Sequence, residues 1–344
     1  MTLLDVQELA RPASWAPSPN GQWMLYTIST PDWQEDTSQL DIHLVSMSEG
    51  LESVRQMTFT SDKNERSPQW SPDGNFFVFT SDRDAPATES ISQLYFMRPD
   101  GGEARQITNV EHGVADFAFS FDGAWLAYRS GEAGVEQLYR LSVDNLFSAN
   151  ADQITDEVSG IEAWAWARDS RSVYFVRPNS RDEGDVRRRE ENFTVDIKNA
   201  VTPLSNLWVA DLVARTTRQL TNLSDASVTD FDLSSDGRWV TFVGGSAERY
   251  ERNITASRLY ADQYLFELST GHIERLTENF EVTERGLSVS PDGRWVAFSA
   301  PDDMTRYTMT DNRVYIREVT DRGGQFRKLG AAFDGSVGID FWSN

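Results

Sequence analysis

Trp70-Ser71-Pro72-Asp73-Gly74-Asn75-Phe76-Phe77-Val78-Phe79 is the stretch whose reading decides the fold. Its central four residues recur at Ser18-Pro19-Asn20-Gly21, Ser120-Phe121-Asp122-Gly123, Ala167-Arg168-Asp169-Ser170, Ser234-Ser235-Asp236-Gly237 and Ser290-Pro291-Asp292-Gly293. A further copy begins at Trp342-Ser343-Asn344. First residues are spaced by 53, 49, 47, 67, 56 and 53 positions. Pro presets φ at the first central position of a β-turn, Asp bonds the local backbone, and Gly accepts the left-handed conformation without steric cost. Asp73, Gly74, Asp122, Gly123, Asp236, Gly237, Asp292 and Gly293 therefore read as turn residues, not as a catalytic set.

Working outward, short apolar stretches such as Phe117-Ala118-Phe119 and Ala163-Trp164-Ala165-Trp166 precede the turn. After it, aromatics fall two and five residues past the Gly: Trp23 and Tyr26, Phe76 and Phe79, Trp125 and Tyr128, Trp239 and Phe242, Trp295 and Phe298. These offsets lie on opposite faces of a strand, so the strand is apolar on both sides. A third signature is a polar residue followed by an apolar run, as in Gln93-Leu94-Tyr95-Phe96. A fourth closes the unit, as in Arg105-Gln106-Ile107-Thr108. Four antiparallel strands, buried on both faces and repeated at this period, predict an all-β fold: a β-propeller of four-stranded blades. The reading gives six complete blades plus the first strand of a seventh. They form one domain over residues 1–344, with blade starts near 18, 71, 120, 167, 234, 290 and a truncated seventh at 343.

The chain has 344 residues and a formal net charge of −22, which excludes nucleic acid and anionic membrane surfaces as partners. With no cysteine, disulfides and thiol chemistry are excluded. No apolar run is long enough to span a membrane. The opening Met1-Thr2-Leu3-Leu4-Asp5 lacks the basic and apolar regions of a signal peptide.

No catalytic constellation emerges. His43, His112 and His272 lie in different units without metal-ligand spacing. His43 stands where other units carry Tyr or Trp and reads as a packed side chain, His112 falls in a link between units, and His272 falls in a turn. There is no Gly-x-Ser-x-Gly elbow and no phosphate-binding glycine loop. No catalytic, cofactor-binding or metal residue is assigned. The fourth unit is irregular: its turn lacks Pro and Gly, and a charged segment over 177–203 separates its second and third strands. Within it, Arg187-Arg188-Arg189 next to Glu190-Glu191 reads as a solvated loop. Shorter insertions at 244–262 and 300–312 occupy equivalent places in units five and six. One rim thus carries extended segments in three successive blades and is the expected contact surface.

The run Gly101-Gly102-Glu103-Ala104-Arg105-Gln106-Ile107-Thr108, with the Ser-Pro-Asp-Gly turns, resembles the TolB-like propeller repeat. The whole chain is similar to the N-terminal propeller of the prolyl oligopeptidase family of serine peptidases, on its acylaminoacyl-peptidase and dipeptidyl-aminopeptidase side. The opening Leu3-Leu4-Asp5-Val6-Gln7-Glu8-Leu9, Thr80-Ser81-Asp82-Arg83-Asp84 and the insertion before Leu207-Trp208-Val209 carry the finer likeness. The resemblance implies a non-catalytic propeller that restricts substrates to short peptides. Its partner is a C-terminal α/β-hydrolase domain bearing a Ser-Asp-His triad, which lies outside this chain. The chain alone is then expected to be inactive, and no amine-binding acidic pair can be matched to its residues. The resemblance also implies a periplasmic or secreted parent protein. The alternative is a standalone TolB-like propeller serving as a binding or scaffold module. If the ring lacks most of a seventh blade, the final strand over 337–342 is expected beside blade one or blade six, with the seam buried in a homodimer.

Overall fold

The computed structural model describes residues 8–32, 36–61, 63–86, 89–147, 150–180, 183–191, 203–246, 261–279, 282–303, 310–339 and 342. Residues 4–7 of the turn expected over 4–9 and parts of the three insertions lie outside them. The described residues contain six antiparallel four-stranded sheets, each built from strands consecutive in sequence. The chain is a β-propeller of six four-stranded blades.

It divides into two compact units, Met1–Asp156 and Glu157–Asn344. The first holds blades one to three. Blade one is β1 (Arg11–Pro17), β2 (Trp23–Asp32), β3 (Thr37–Ser46) and β4 (Arg55–Gln56). Blade two is β5 (Glu65–Trp70), β6 (Phe77–Ser81), β7 (Gln93–Met97) and β8 (Arg105–Gln106). Blade three is β9 (Asp116–Phe119), β10 (Trp125–Ser130), β11 (Gln137–Ser142) and β12 (Asp152–Gln153). The second unit holds blade four, β13 (Ala163–Trp166), β14 (Ser172–Pro178), β15 (Ser205–Asp211) and β16 (Thr216–Gln219). Blade five follows as β17 (Ala226–Leu233), β18 (Trp239–Ser246), β19 (Ala261–Glu267) and β20 (His272–Arg275). Blade six is β21 (Arg285–Val289), β22 (Trp295–Pro301), β23 (Asn312–Glu318) and β24 (Arg327–Leu329).

The turns follow from their side chains. Ser71 Oγ donates to Asp73 Oδ1 at 2.6 Å, and Asp73 Oδ1 accepts the Asn75 N–H at 3.1 Å. The same pair of bonds forms at Asp122, Asp236 and Asp292. Gly74, Gly123, Gly237 and Gly293 take φ of 73°, 72°, 68° and 69°. In blade four Ser170 occupies that position at φ 58°, and Asp169 still caps the turn through the Arg171 N–H. The serine bond holds the Asp73 carboxyl below the usual carboxylate range, and Ser290 does the same for Asp292.

Both faces of the second strands are largely buried, as the aromatic offsets require. Leu25, Ile42 and Leu44 of blade one pack with Phe77, Phe79 and Tyr95 of blade two. Val78 and Leu94 pack with Leu126 and Tyr128 of blade three. In the second unit, Val176 and Leu207 of blade four meet Val240 and Phe242 of blade five, and Trp239 and Leu265 meet Val289 and Val296 of blade six. Within the blades one register position carries a cross-strand ring pair: Tyr26–His43, Phe79–Tyr95, Tyr128–Tyr139, Phe242–Tyr264 and Phe298–Tyr315, with centroids 4.9–5.9 Å apart. Phe175 and Trp208 are register partners in blade four. His43 thus takes a ring position in blade one.

A second repeated device closes blades one to five. The hydroxyl of the threonine ending the fourth signature accepts a backbone N–H of the third strand and donates to a side chain there. Thr108 accepts from Leu94 N and donates to Gln93 Oε1; Thr155 does so with Leu138 and Gln137; Thr221 with Leu207 and Asn206. Thr58 and Thr277 repeat it with Asp41 and Asp262.

Blade six departs on both halves of this clamp. Its threonine is Gly330 and its acceptor is Arg313. Gly330 has φ 76°, and a Cβ there would lie 2.8 Å from Val337 Cγ2. The Arg313 guanidinium donates instead to Gly335 O at 2.7 Å and Phe333 O at 3.2 Å. Val337 N donates to Asn312 O at 2.9 Å. The Trp342 indole donates to Ser288 Oγ, two residues before the turn serine, at 2.9 Å. Trp70 makes the equivalent bond to Ala16 O at 3.0 Å. Trp342 therefore stands to blade six as the last residue of β5 stands to blade one, the place of a seventh blade's first strand. Asp340 and Phe341, which belong to that expected strand, lie outside the described residues.

Candidate functional site

Antiparallel pairing places the link entering each blade and the segment joining its second and third strands at one end, with the Ser-x-Asp-Gly turns at the other. Glu65 pairs with Ser81, and Arg285 with Ser299. This rim carries the insertions, so it is the face on which sequence length varies.

In blade four, Asn179 N donates to Leu204 O at 2.9 Å, which closes the base of the long insertion. Inside the insertion is α1 (Glu183–Glu190), where the sequence reading expects a loop. Arg187 and Arg188 are exposed on this helix, consistent with their solvated reading. Buried Arg177 pairs with Glu157 at 2.9 Å and lies 3.9 Å over the Trp208 ring. In blade six, Asp302 N donates to Asp311 O at 2.7 Å, and the Asp302 carboxyl, paired with Lys328, is held below its ordinary range. Within the first unit, a cleft of roughly 400 Å³ lies at the rim of blades two and three, lined by Ser92, Glu111, His112, Gly113, Ser130 and Glu136.

Two carboxyls at this end of their own blades were missed by sequence reasoning. Glu65 and Glu284 stand six residues before the turn serines of blades two and six. At that offset blades three, four and five carry buried Val114, Ile161 and Val228. Glu65 is fully buried and Glu284 is 5% exposed. Glu65 Oε1 accepts from Thr60, Ser81 and Arg83 at 2.8, 3.0 and 3.1 Å. The Arg83 guanidinium also lies 4.8 Å over Tyr95. Burial raises the Glu65 carboxyl, and those donors oppose the rise. Glu284 accepts from the Asn279 amide, and burial pushes it up to about 7. The remaining oxygen of each, Oε2, has no hydrogen-bond partner among the described residues. The signal was available: an acidic residue at a repeat offset that is aliphatic in blades three, four and five.

The histidines stay apart. His43 sits half-buried in its ring pair, while His112 and His272 are exposed, and His272 begins β20. Among the described residues no three His, Cys, Asp or Glu side chains group to hold a metal ion. Among the described residues this end of the blades carries buried carboxyls and paired charges.

A β-propeller of four-stranded blades is the class these features define. No family model matches the chain. It is 24% identical over 291 residues to dipeptidyl-peptidase 5 of Porphyromonas endodontalis, covering 84% of this chain and 37% of that protein. The β-propeller domain of the trilobed protease from Pyrococcus furiosus superposes with a TM-score of 0.56 at 10% identity, over 93% of this chain and 84% of that one. Acylaminoacyl peptidase from Pyrococcus horikoshii gives the same TM-score of 0.56 at 10% identity, over 94% of this chain and 46% of that one. These matches show the fold, a β-propeller, and a likeness over most of the chain to one part of a dipeptidyl-peptidase. The chain spans 37% of the length of the dipeptidyl-peptidase it matches.

Proposed function

We propose that this chain is the substrate-gating propeller of a serine peptidase acting on short peptides, of the aminopeptidase or acylaminoacyl-peptidase type. Its partner in this reading is a C-terminal α/β-hydrolase domain of the same protein, which supplies the nucleophile, base and orienting acid. The propeller contributes no catalytic group and no cofactor. Its part is steric and electrostatic: the blades limit what reaches the hydrolase, and an acidic rim favours substrates with a free amine or a basic residue.

The observation that carries this reading is the alignment of 84% of the chain with one stretch of a dipeptidyl-peptidase. Purified residues 1–344 are expected to leave aminoacyl and acylaminoacyl arylamides untouched. The full-length gene product is expected to hydrolyse them, with organophosphate reagents abolishing the activity. Turnover by residues 1–344 that survives repurification would refute the division of labour. A full-length product without activity would favour a standalone binding module.

A further inference from the structure

The turn of blade one carries an amide where the Ser-x-Asp-Gly turns carry a carboxylate. Asn20 stands at the place of Asp73, Asp122, Asp236 and Asp292. It makes the same bonds: Ser18 Oγ donates to Asn20 Oδ1 at 2.7 Å, and Asn20 Oδ1 accepts the Gln22 N–H at 3.0 Å. Gly21 follows at φ 68°, exposed, and a Cβ there would meet nothing within 4 Å. Asn20-Gly21 is the sole Asn-Gly pair in the sequence.

An asparagine followed by glycine is open to attack by its own backbone, because the next nitrogen carries no side chain to hinder it. The Gly21 nitrogen gives its proton to solvent base and bonds to Asn20 Cγ. The Cγ–Nδ2 bond breaks and ammonia leaves, closing a five-membered succinimide. Water then opens the ring. Breaking the new N–Cγ bond leaves aspartate, whereas breaking the original peptide bond leaves isoaspartate, with the backbone running through the former side chain. Nothing is oxidised or reduced, and water is the co-reactant.

The turn decides when this happens. Gly21 N–H donates to Ser18 O at 2.9 Å, so the proton that must leave is committed. Attack also needs the Asn20 side chain to turn its carbonyl carbon onto the Gly21 nitrogen, which breaks the bonds at Oδ1. Those bonds polarise the carbonyl, yet they fix its direction, and alignment is required before polarisation helps. Ser18 is itself buried, its Oγ accepting the Trp23 N–H at 2.9 Å. Pro19 Cδ lies 3.6 Å from the position a Cβ on Gly74 would take, so the turn of blade two packs against this one.

We propose that Asn20-Gly21 is a deamidation site gated by the fold: the closed turn withholds the two reacting atoms, and opening of the β1–β2 hairpin releases them. The products then differ in what they do to blade one. Aspartate supplies the acceptor that the other turns use, so the serine bond is kept. Isoaspartate adds a methylene to the backbone, so the Gly21 N–H and Ser18 O no longer close the same ring. Time spent open is thus recorded as a covalent change at one residue.

Mass spectrometry after incubation of the full chain tests this. Trypsin releases residues 1–55 as one peptide, since Pro12 blocks cleavage after Arg11, and Asn20 is its sole asparagine. Conversion is read as the mass gain from amide to acid. At one pH and temperature it should be about tenfold or more slower in the folded chain than in guanidinium chloride above the unfolding midpoint. Ser18→Ala, which removes a donor to Oδ1, should speed conversion in the folded chain and leave the denatured rate unchanged. Ser71→Ala, the same change in the turn of blade two, should leave conversion at Asn20 near wild type. Asn20→Asp should keep wild-type amide protection over 18–23. If Ser18→Ala does not fold, the folded and denatured wild-type rates decide the matter. Equal or faster conversion in the folded wild type would overturn the proposal. So would a folded Ser18→Ala no faster than Ser71→Ala, or lost protection in Asn20→Asp.

Discussion

Phe77→Ala will lower the stability of the first unit by about 4 kcal/mol, the range for deleting a fully enclosed phenylalanine. Phe77 is 0% exposed and packs edge-on against Trp70 at 5.9 Å, beside Phe79 and the aliphatic residues of blade one. The loss exceeds the transfer free energy of the ring because both neighbouring strands are pinned by their ladders and cannot collapse into the void. A urea midpoint followed by tryptophan fluorescence reads the effect. Leu51→Ala, at a side chain 87% exposed, serves as control and should change the midpoint little. Equal midpoints for Phe77→Ala and wild type would mean that blade faces are not packed as described.

Arg313→Met will free the segment beyond β24 from blade six. The guanidinium is buried, pairs with Asp302, and satisfies the carbonyls of Phe333 and Gly335. Methionine fills a similar volume but leaves those carbonyls without their donors, at a local cost of about 2–4 kcal/mol. Amide exchange over 331–339 should accelerate by about a hundredfold, while the strands of blade four keep their protection. Limited trypsin digestion gives a second reading, because Arg327 and Lys328 lie immediately upstream. Unchanged exchange over 331–339 would show that Val337 and Trp342 alone secure the segment.

Much of this architecture could be read from residues because repetition exposes it. One turn serine, one aspartate and one aromatic at fixed offsets are ambiguous alone, but six copies separate position from accident. The ring pairs and the clamp threonines stand in the same signatures. Legibility fails where a position breaks its own pattern. Arg313 and Gly330 each look like tolerated variation until the structure sets them against the same threonine clamp. Glu65 and Glu284 are hidden by composition, since one more acid in a chain of net charge −22 reads as surface. Only burial distinguishes them from the solvated acids around them. The helix over Glu183–Glu190 was also out of reach, because its sequence has one apolar residue, Val186, and so no amphipathic period.

The measurement that bears most directly on the gating reading is the length dependence of hydrolysis by the full-length gene product. Values of kcat/KM would be compared for peptides sharing one cleavable N-terminus and growing toward an unfolded polypeptide. A propeller that filters by size predicts rapid cleavage of the shortest members. It also predicts a fall of about a hundredfold for the longest, equivalent to about 2.7 kcal/mol in transition-state free energy. Equal kcat/KM across the series would contradict the account.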